Sequence, residues 1–185
     1  MKSCDPDTAI AAAHEVLNDP ASLTEPIAMF MPAETLFRHG GKDEALFWYY
    51  AAQLRARYQL VFENGDRGQI MAVMMMTLGE GITNYAWYDF RNAQRTIDRV
   101  LAWDKTTPNP YQDKQRTAEQ NAQVAKVYSG LRDLRAQLGS QGPAMQEKMK
   151  ELAAQSTPVA TVSRPKRCEP GDIDPALAPQ EQTSK

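Results

Sequence analysis

Apolar residues recur every three or four positions along most of the chain, which is the spacing of one face of an α-helix. The clearest stripe follows Asp89, with arginines on the opposite side; it consists of Phe90, Ala93, Ile97, Val100 and Leu101. A second seam between Val124 and Leu138 predicts a long helix from about Asp113 to Leu138 that packs along one side. No segment alternates between apolar and polar residues as a half-buried strand does. The pattern therefore predicts an all-α protein.

Glycine and proline divide the chain into about seven predicted helices, arranged as a single helical bundle or an array of helix pairs. Gly40 and Gly41 end one helix, and a Pro-containing loop follows the stripe described above. The segment GSQGP, residues 139–143, predicts the end of the long helix. A separate short helix carrying Met145 and Met149 is expected after it.

Composition changes near residue 155. We expect residues 1–155 to form an all-helical domain, and residues 156–185 to form an extended or disordered tail rich in Pro, Ser, Thr and charge. Cys4 and Cys168 lie in polar segments close to prolines, where a buried thiol is not expected. They predict a disulfide that tethers the tail, whereas two free thiols would indicate a cytosolic protein.

One helix is unusually rich in aromatic residues. Residues 44–62, EALFWYYAAQLRARYQLVF, have apolar side chains on most sides, which predicts a central helix of the core. Arg55 and Arg57 are expected to reach solvent or to pair with acids on a neighbouring helix. The methionines of residues 71–76 are expected to fill gaps between helices. As an alternative, residues 47–50 and 71–76 line a pocket for a small apolar ligand.

The overall charge excludes several classes of partner. The chain has 185 residues, a formal net charge of −2 and 42% hydrophobic residues. A nearly neutral, slightly acidic chain does not attract nucleic acid or anionic lipid, and Arg55 and Arg57 are too few to surround the aromatic residues of a nucleic-acid site. The longest apolar run, Ile70–Met76, is too short for a membrane-spanning helix. We therefore expect neither a nucleic-acid partner nor stable membrane insertion.

The sequence contains no motif for catalysis. His14 and His39 each lack a second ligand at helical spacing within their own predicted helix, so neither predicts a metal site. No nucleophile elbow, phosphate-binding glycine loop or zinc-protease motif is present. We predict that the protein is not an enzyme and uses no metal and no cofactor.

Three segments, DEALFWYYAAQLRARYQL, GEGITNYAWYD and IDRVLAWDKTTPNPY, occur in that order between residues 40 and 112. Together they resemble a group of small helical immunity proteins encoded beside type VI secretion effectors, including lipases. The resemblance implies a periplasmic protein that binds and neutralises a cognate toxin. No apolar leader follows Met1, so this location assumes that a signal peptide was removed; a cytoplasmic adaptor or chaperone of a secretion system is the alternative.

A protein that blocks another protein requires exposed aromatic and charged anchors, which usually lie in loops and at helix ends. Two segments have this character, GEGITNYAWYD and DKTTPNPY. Their anchors form the predicted partner-binding face: Glu80, Tyr85, Trp87, Tyr88, Asp89, Asp104, Asn109 and Tyr111. We expect the acids to approach a basic cleft of the partner, and we do not expect the Val124–Leu138 seam to contact it.

Overall fold

The computed structural model describes residues 5–63 and 65–155, in which eight α-helices and one 3-10 helix follow one another. The α-helices are α1 (Pro6–Asn18), α2 (Pro20–Thr24), α3 (Phe30–Arg38), α4 (Lys42–Gln59), α5 (Arg67–Leu78), α6 (Glu80–Tyr88), α7 (Phe90–Thr106) and α8 (Ala118–Gln155). The 3-10 helix, Pro26–Met29, precedes α3. No described residue belongs to a strand, which confirms the prediction of an all-α protein.

Two predicted features, the disulfide and the C-terminal tail, involve residues that the structure does not describe. Cys4, Cys168 and the tail at residues 156–185 lie outside the described residues, so the disulfide and the tail remain predictions. Within the described residues, no helix combines the length and the apolar character that crossing a membrane requires.

Helix α4 is the centre of the core. Twelve of its eighteen residues are buried, and helices α3, α6, α7 and α8 pack around it. Tyr49 and Tyr50 are buried, and Phe47 and Trp48 are half-buried against the same core. The aromatic residues of α4 therefore serve the core, as the distribution of apolar positions indicates.

Helix α8 continues through the segment that predicts a break. It runs without interruption from Ala118 to Gln155, with Pro143 inside it, so the prediction of a separate short helix is wrong. A Cβ atom at Gly142 would lie 2.3 Å from the Cγ atom of Phe90, and one at Gly139 would lie 2.7 Å from the Nε2 atom of Gln94. These glycines bring α8 close to α7, and this packing offsets the hydrogen bond that Pro143 cannot donate.

The start of α8 has a local cause. Thr117 Oγ1 accepts a hydrogen bond from the backbone N–H of Gln120 at 3.1 Å, and Gln120 Oε1 accepts one from the backbone N–H of Thr117 at 3.0 Å. This reciprocal capping box satisfies two backbone donors at the helix terminus. The helix consequently begins at Ala118 and not near Asp113, as the apolar seam alone suggests.

Candidate functional site

The predicted partner-binding residues of α6 and Asp89, which follows the helix, differ in exposure. Glu80 and Tyr88 are exposed, whereas Tyr85, Trp87 and Asp89 are half-buried. Tyr85 Oη donates a hydrogen bond to Asp43 Oδ1 at 2.5 Å, and burial together with this bond raises the pKa of Tyr85 to about 12. Two of these five anchors are therefore exposed and can contact a partner without rearrangement.

The prediction that Asp104 presents an exposed carboxylate is wrong. Asp104 lies in the last turn of α7, is only 4% exposed and pairs with the buried guanidinium of Arg55. Tyr128 Oη donates to the other carboxylate oxygen at 2.5 Å. Arg55 also donates to the backbone carbonyls of Thr107 and Pro108, at 2.8 Å each. This network joins α4, α7 and α8 inside the protein.

Tyr111 and Asn109 also make internal contacts. Tyr111 is buried, contrary to its predicted role as an exposed anchor, and its hydroxyl bonds the side chains of Gln59 and Glu63. Asn109, half-buried, accepts a hydrogen bond from the backbone N–H of Tyr111 at 3.0 Å. These two side chains shape the connection between α7 and α8.

The structure separates the two predicted groups of anchors. Asp89 precedes α7 and Asp104 lies in its last turn, fifteen positions further along the chain. At 1.5 Å per residue this amounts to roughly 22 Å. The eight residues therefore do not form one compact patch.

Asp89 has a structural role that accounts for its position. Its side chain accepts a hydrogen bond from the backbone N–H of Asn92 at 3.2 Å and so caps the N-terminus of α7. We expect Asp89→Ala to lower the free energy of unfolding by about 1 kcal/mol, measured by urea denaturation. Asp89→Asn removes the charge but keeps a good cap, so it should be close to the wild type. Equal losses in both variants would show that the charge, and not the cap, is what matters.

A different surface carries most of the large apolar side chains that are exposed in the described residues. Four of the six large apolar side chains that are exposed in the described residues lie on α5 or beside it: Met31 (43% exposed), Ile70 (44%), Val73 (57%) and Met76 (78%). We call these four residues the α5 surface. No residue of α5 is fully buried, although Met71, Met74 and Met75 pack against the core from one side. The methionines thus fill gaps in part, as predicted, while Met76 points away from the core.

A cavity of about 610 Å³ adjoins this surface. It lies between the 3-10 helix, the start of α3 and the first turns of α5, and we call it the α5 groove. Its apolar wall is formed by Ile27, Ala28, Met31, Ile70 and Met74. Methionine adapts its shape to irregular partners, so this wall suits a contact that must adjust on binding.

One end of the α5 groove is charged. Arg67 forms ion pairs with Glu25 and, at 2.9 Å, with Glu63, and its pKa is raised by the hydrogen bond to Glu25. Asp66, exposed at the start of α5, makes no ion pair with any described residue. Two carboxylates, those of Glu25 and Glu63, therefore pair with one guanidinium. With the unpaired Asp66 nearby, this end of the groove has a net negative charge.

The groove differs from the ligand pocket that the sequence suggests as an alternative. Ile70 and Met74 of α5 line it, but none of the aromatic residues 47–50 does. Among residues 5–63 and 65–155, no three His, Cys, Asp or Glu side chains lie together as a metal site requires. What the arrangement offers chemically is apolar contact next to negative charge.

The α5 surface is absent from the sequence-based prediction of the partner-binding face. The run from Ile70 to Met76 is apolar on every side, which indicates a buried helix as readily as an exposed one.

No protein-family model matches the chain, and neither a curated protein nor a solved structure matches it.

Proposed function

We propose that the protein acts by binding another protein, and that the partner is a secreted toxin, which the chain neutralises as an immunity protein. The observation that carries the proposal is the concentration of exposed apolar side chains on the α5 surface. Exposed apolar side chains that are concentrated in one region mark interaction sites more often than singly scattered ones do. Methionine is also enriched in protein interfaces.

The aromatic residues support the same class of function. Tyr49 and Tyr50 are buried in the core, and none of residues 47–50 lines the α5 groove. A binding role therefore rests on the outer surface. Occlusion of the toxin requires a partner contact and no catalytic group, which agrees with the sequence-based expectation of a non-enzymatic protein.

The resemblance to immunity proteins of type VI effectors supplies the identity proposed for the partner. A periplasmic location follows from that identity, because such an effector is met there. The Cys4–Cys168 disulfide, predicted from the sequence, belongs to the same proposal, since disulfides persist in the periplasm.

The proposal predicts a specific loss of protection. Each protein encoded beside this gene is expressed in a bacterial host, with and without the chain, and survival is counted. A neighbouring toxin should kill cells only when the chain is absent. We expect Val73→Glu and Met76→Glu to weaken binding of that toxin at least tenfold in isothermal titration calorimetry, because each places a charge in an apolar contact.

A matched control is available in the same chain. Leu152 is 57% exposed, as is Val73, but it lies near the end of α8. Leu152→Glu should leave affinity and survival unchanged. If Leu152→Glu and Val73→Glu weaken binding equally, the α5 surface is not the contact. If Tyr88→Glu alone abolishes protection, the partner binds the α6 residues predicted from the sequence. If no neighbouring protein binds the chain, the immunity function is wrong.

A further inference from the structure

The α5 groove is bounded by helical elements on two sides. Its two apolar rows come from helical elements, Ile27 and Met31 on one side and Ile70 and Met74 on the other. Each row spans about one turn, which is the spacing at which an amphipathic helix presents its apolar side chains. The described residues contain no strand and so offer no sheet edge to an extended peptide.

Charge gives the groove a direction. Glu25, Asp66 and Arg67 lie together at the first turn of α5, while the wall toward Met74 is apolar. The single guanidinium is already shared between Glu25 and Glu63, which leaves Asp66 without an ion-pair partner among the described residues. A positively charged side chain at this end of a bound helix could form an ion pair with the Asp66 carboxylate.

The same charges exclude another occupant. Anionic lipid surfaces attract basic side chains and are repelled by carboxylates. An apolar groove with an acidic end therefore does not suit a bacterial membrane surface. It suits a polypeptide that combines apolar anchors with Lys or Arg.

We propose that the α5 groove binds an amphipathic helix of the partner protein, with Lys or Arg at the end of the helix that lies beside Asp66. This rests on the proposed function in that the helix belongs to the neutralised toxin. Apolar anchors at positions i, i+3 and i+7 would contact Met31, Ile70 and Met74. The basic residue would fix the direction of the helix, because only one end of the groove is acidic.

The test uses the full chain and two fluorescent peptides of about 18 residues, the length of a five-turn helix. Both peptides carry leucine at i, i+3 and i+7, and one ends in lysines while the other ends in glutamates. Fluorescence anisotropy should show the lysine peptide binding at least tenfold more tightly than the glutamate peptide. Asp66→Lys should remove or reverse this preference, because it reverses the charge of the unpaired group.

Two further variants locate the site. Ile70→Glu and Met31→Glu replace side chains that are already more than 40% exposed, so folding should be retained, as circular dichroism will check. Both should weaken the lysine peptide at least tenfold, whereas Leu152→Glu should not. Equal affinity for the two peptides, or affinity unchanged by Asp66→Lys and both glutamate variants, overturns the proposal. So does a dimer of the full chain, seen by sedimentation, that Ile70→Glu dissociates.

The outcomes separate this inference from the proposed function. If Val73→Glu abolishes toxin binding but neither peptide binds, the helix inference is wrong and the binding function stands. If the lysine peptide binds as described but no neighbouring toxin is neutralised, the immunity function is wrong and the groove remains a helix-binding site.

Discussion

Replacing Asp104 by Asn lowers the free energy of unfolding by about 3–5 kcal/mol, the cost of leaving one member of a buried ion pair without its partner. Arg55 is 2% exposed, and four of its described contacts are with Asp104 or with backbone carbonyls that follow it. Without the carboxylate, the guanidinium stays buried as an uncompensated charge. Urea denaturation followed by circular dichroism measures the loss.

The same helix supplies the control. Asp98 of α7 pairs with Arg135 of α8 through two hydrogen bonds of 2.7 and 2.8 Å, but both side chains are well exposed. Asp98→Asn should cost no more than about 1 kcal/mol, because water screens the pair. Equal losses for Asp98→Asn and Asp104→Asn would contradict the burial of the Arg55 pair.

A double variant tests the cause of the loss. Arg55→Met combined with Asp104→Leu removes both charges and keeps apolar volume, so it should lose less stability than Asp104→Asn alone. If the double variant loses more, the hydrogen bonds of Arg55 to the carbonyls of Thr107 and Pro108 contribute more than the charge pairing does.

Replacing Gly142 by Ala is expected to lower the free energy of unfolding by about 1–3 kcal/mol. The added methyl group would meet the Phe90 ring and its Cβ atom at 2.3 to 2.7 Å, so α8 and α7 must move apart or the ring must rotate. Phe90 is 8% exposed and has little free space around it.

Gly130 provides a matched control in the same helix. Apart from its chain neighbours and the backbone of its own helix, no described atom lies within 4 Å of a Cβ placed there. Gly130→Ala should therefore raise stability by about 0.5–1 kcal/mol, as alanine does in a helix interior. Thermal unfolding compares the two variants directly. A gain in stability for both would contradict the close approach of α8 to Phe90. Phe90→Leu should recover part of the loss caused by Gly142→Ala.

The spacing of apolar residues predicts the buried face of α7 well, because each side chain on that face is buried or exposed according to its own position. The predicted stripe has five members, of which four are buried and Leu101 is half-buried against the core; the buried four are Phe90, Ala93, Ile97 and Val100. The same stripe indicates where Asp104 lies. Asp104 follows Val100 by four positions and Ile97 by seven, so it continues the buried face, whereas Asp98 does not. For Asp104, the position relative to the apolar stripe is therefore a better guide to burial than the charge of the side chain.

Arg55 follows the same rule. It lies four residues after Ala51 and three before Tyr58, both of which are buried, so its position on α4 is a core position. The sequence supports pairing of Arg55 with an acid on a neighbouring helix, and the structure identifies that acid as Asp104. Which acid is chosen depends on packing between helices, and local spacing does not contain that information.

The glycines of α8 lead to a wrong prediction of a helix break because glycine has two structural roles in helical proteins. It ends a helix, as at Gly40, where φ is +93°, and it allows two helices to approach closely, as at Gly142. Only the neighbouring element distinguishes the two. In the same way, the apolar run of α5 cannot reveal its own exposure, since this depends on which helices leave it uncovered.

The absence of fully buried residues in α5 affects how firmly the chain holds this helix. Its neighbours α4 and α6 each have buried side chains, while α5 contributes only half-buried ones. Local opening free energies are smallest where few apolar contacts are buried, so α5 should detach transiently while the rest of the core stays folded. A partner that covers α5 would shift this local equilibrium toward the docked state, and part of its binding energy would be used to order the helix that it contacts.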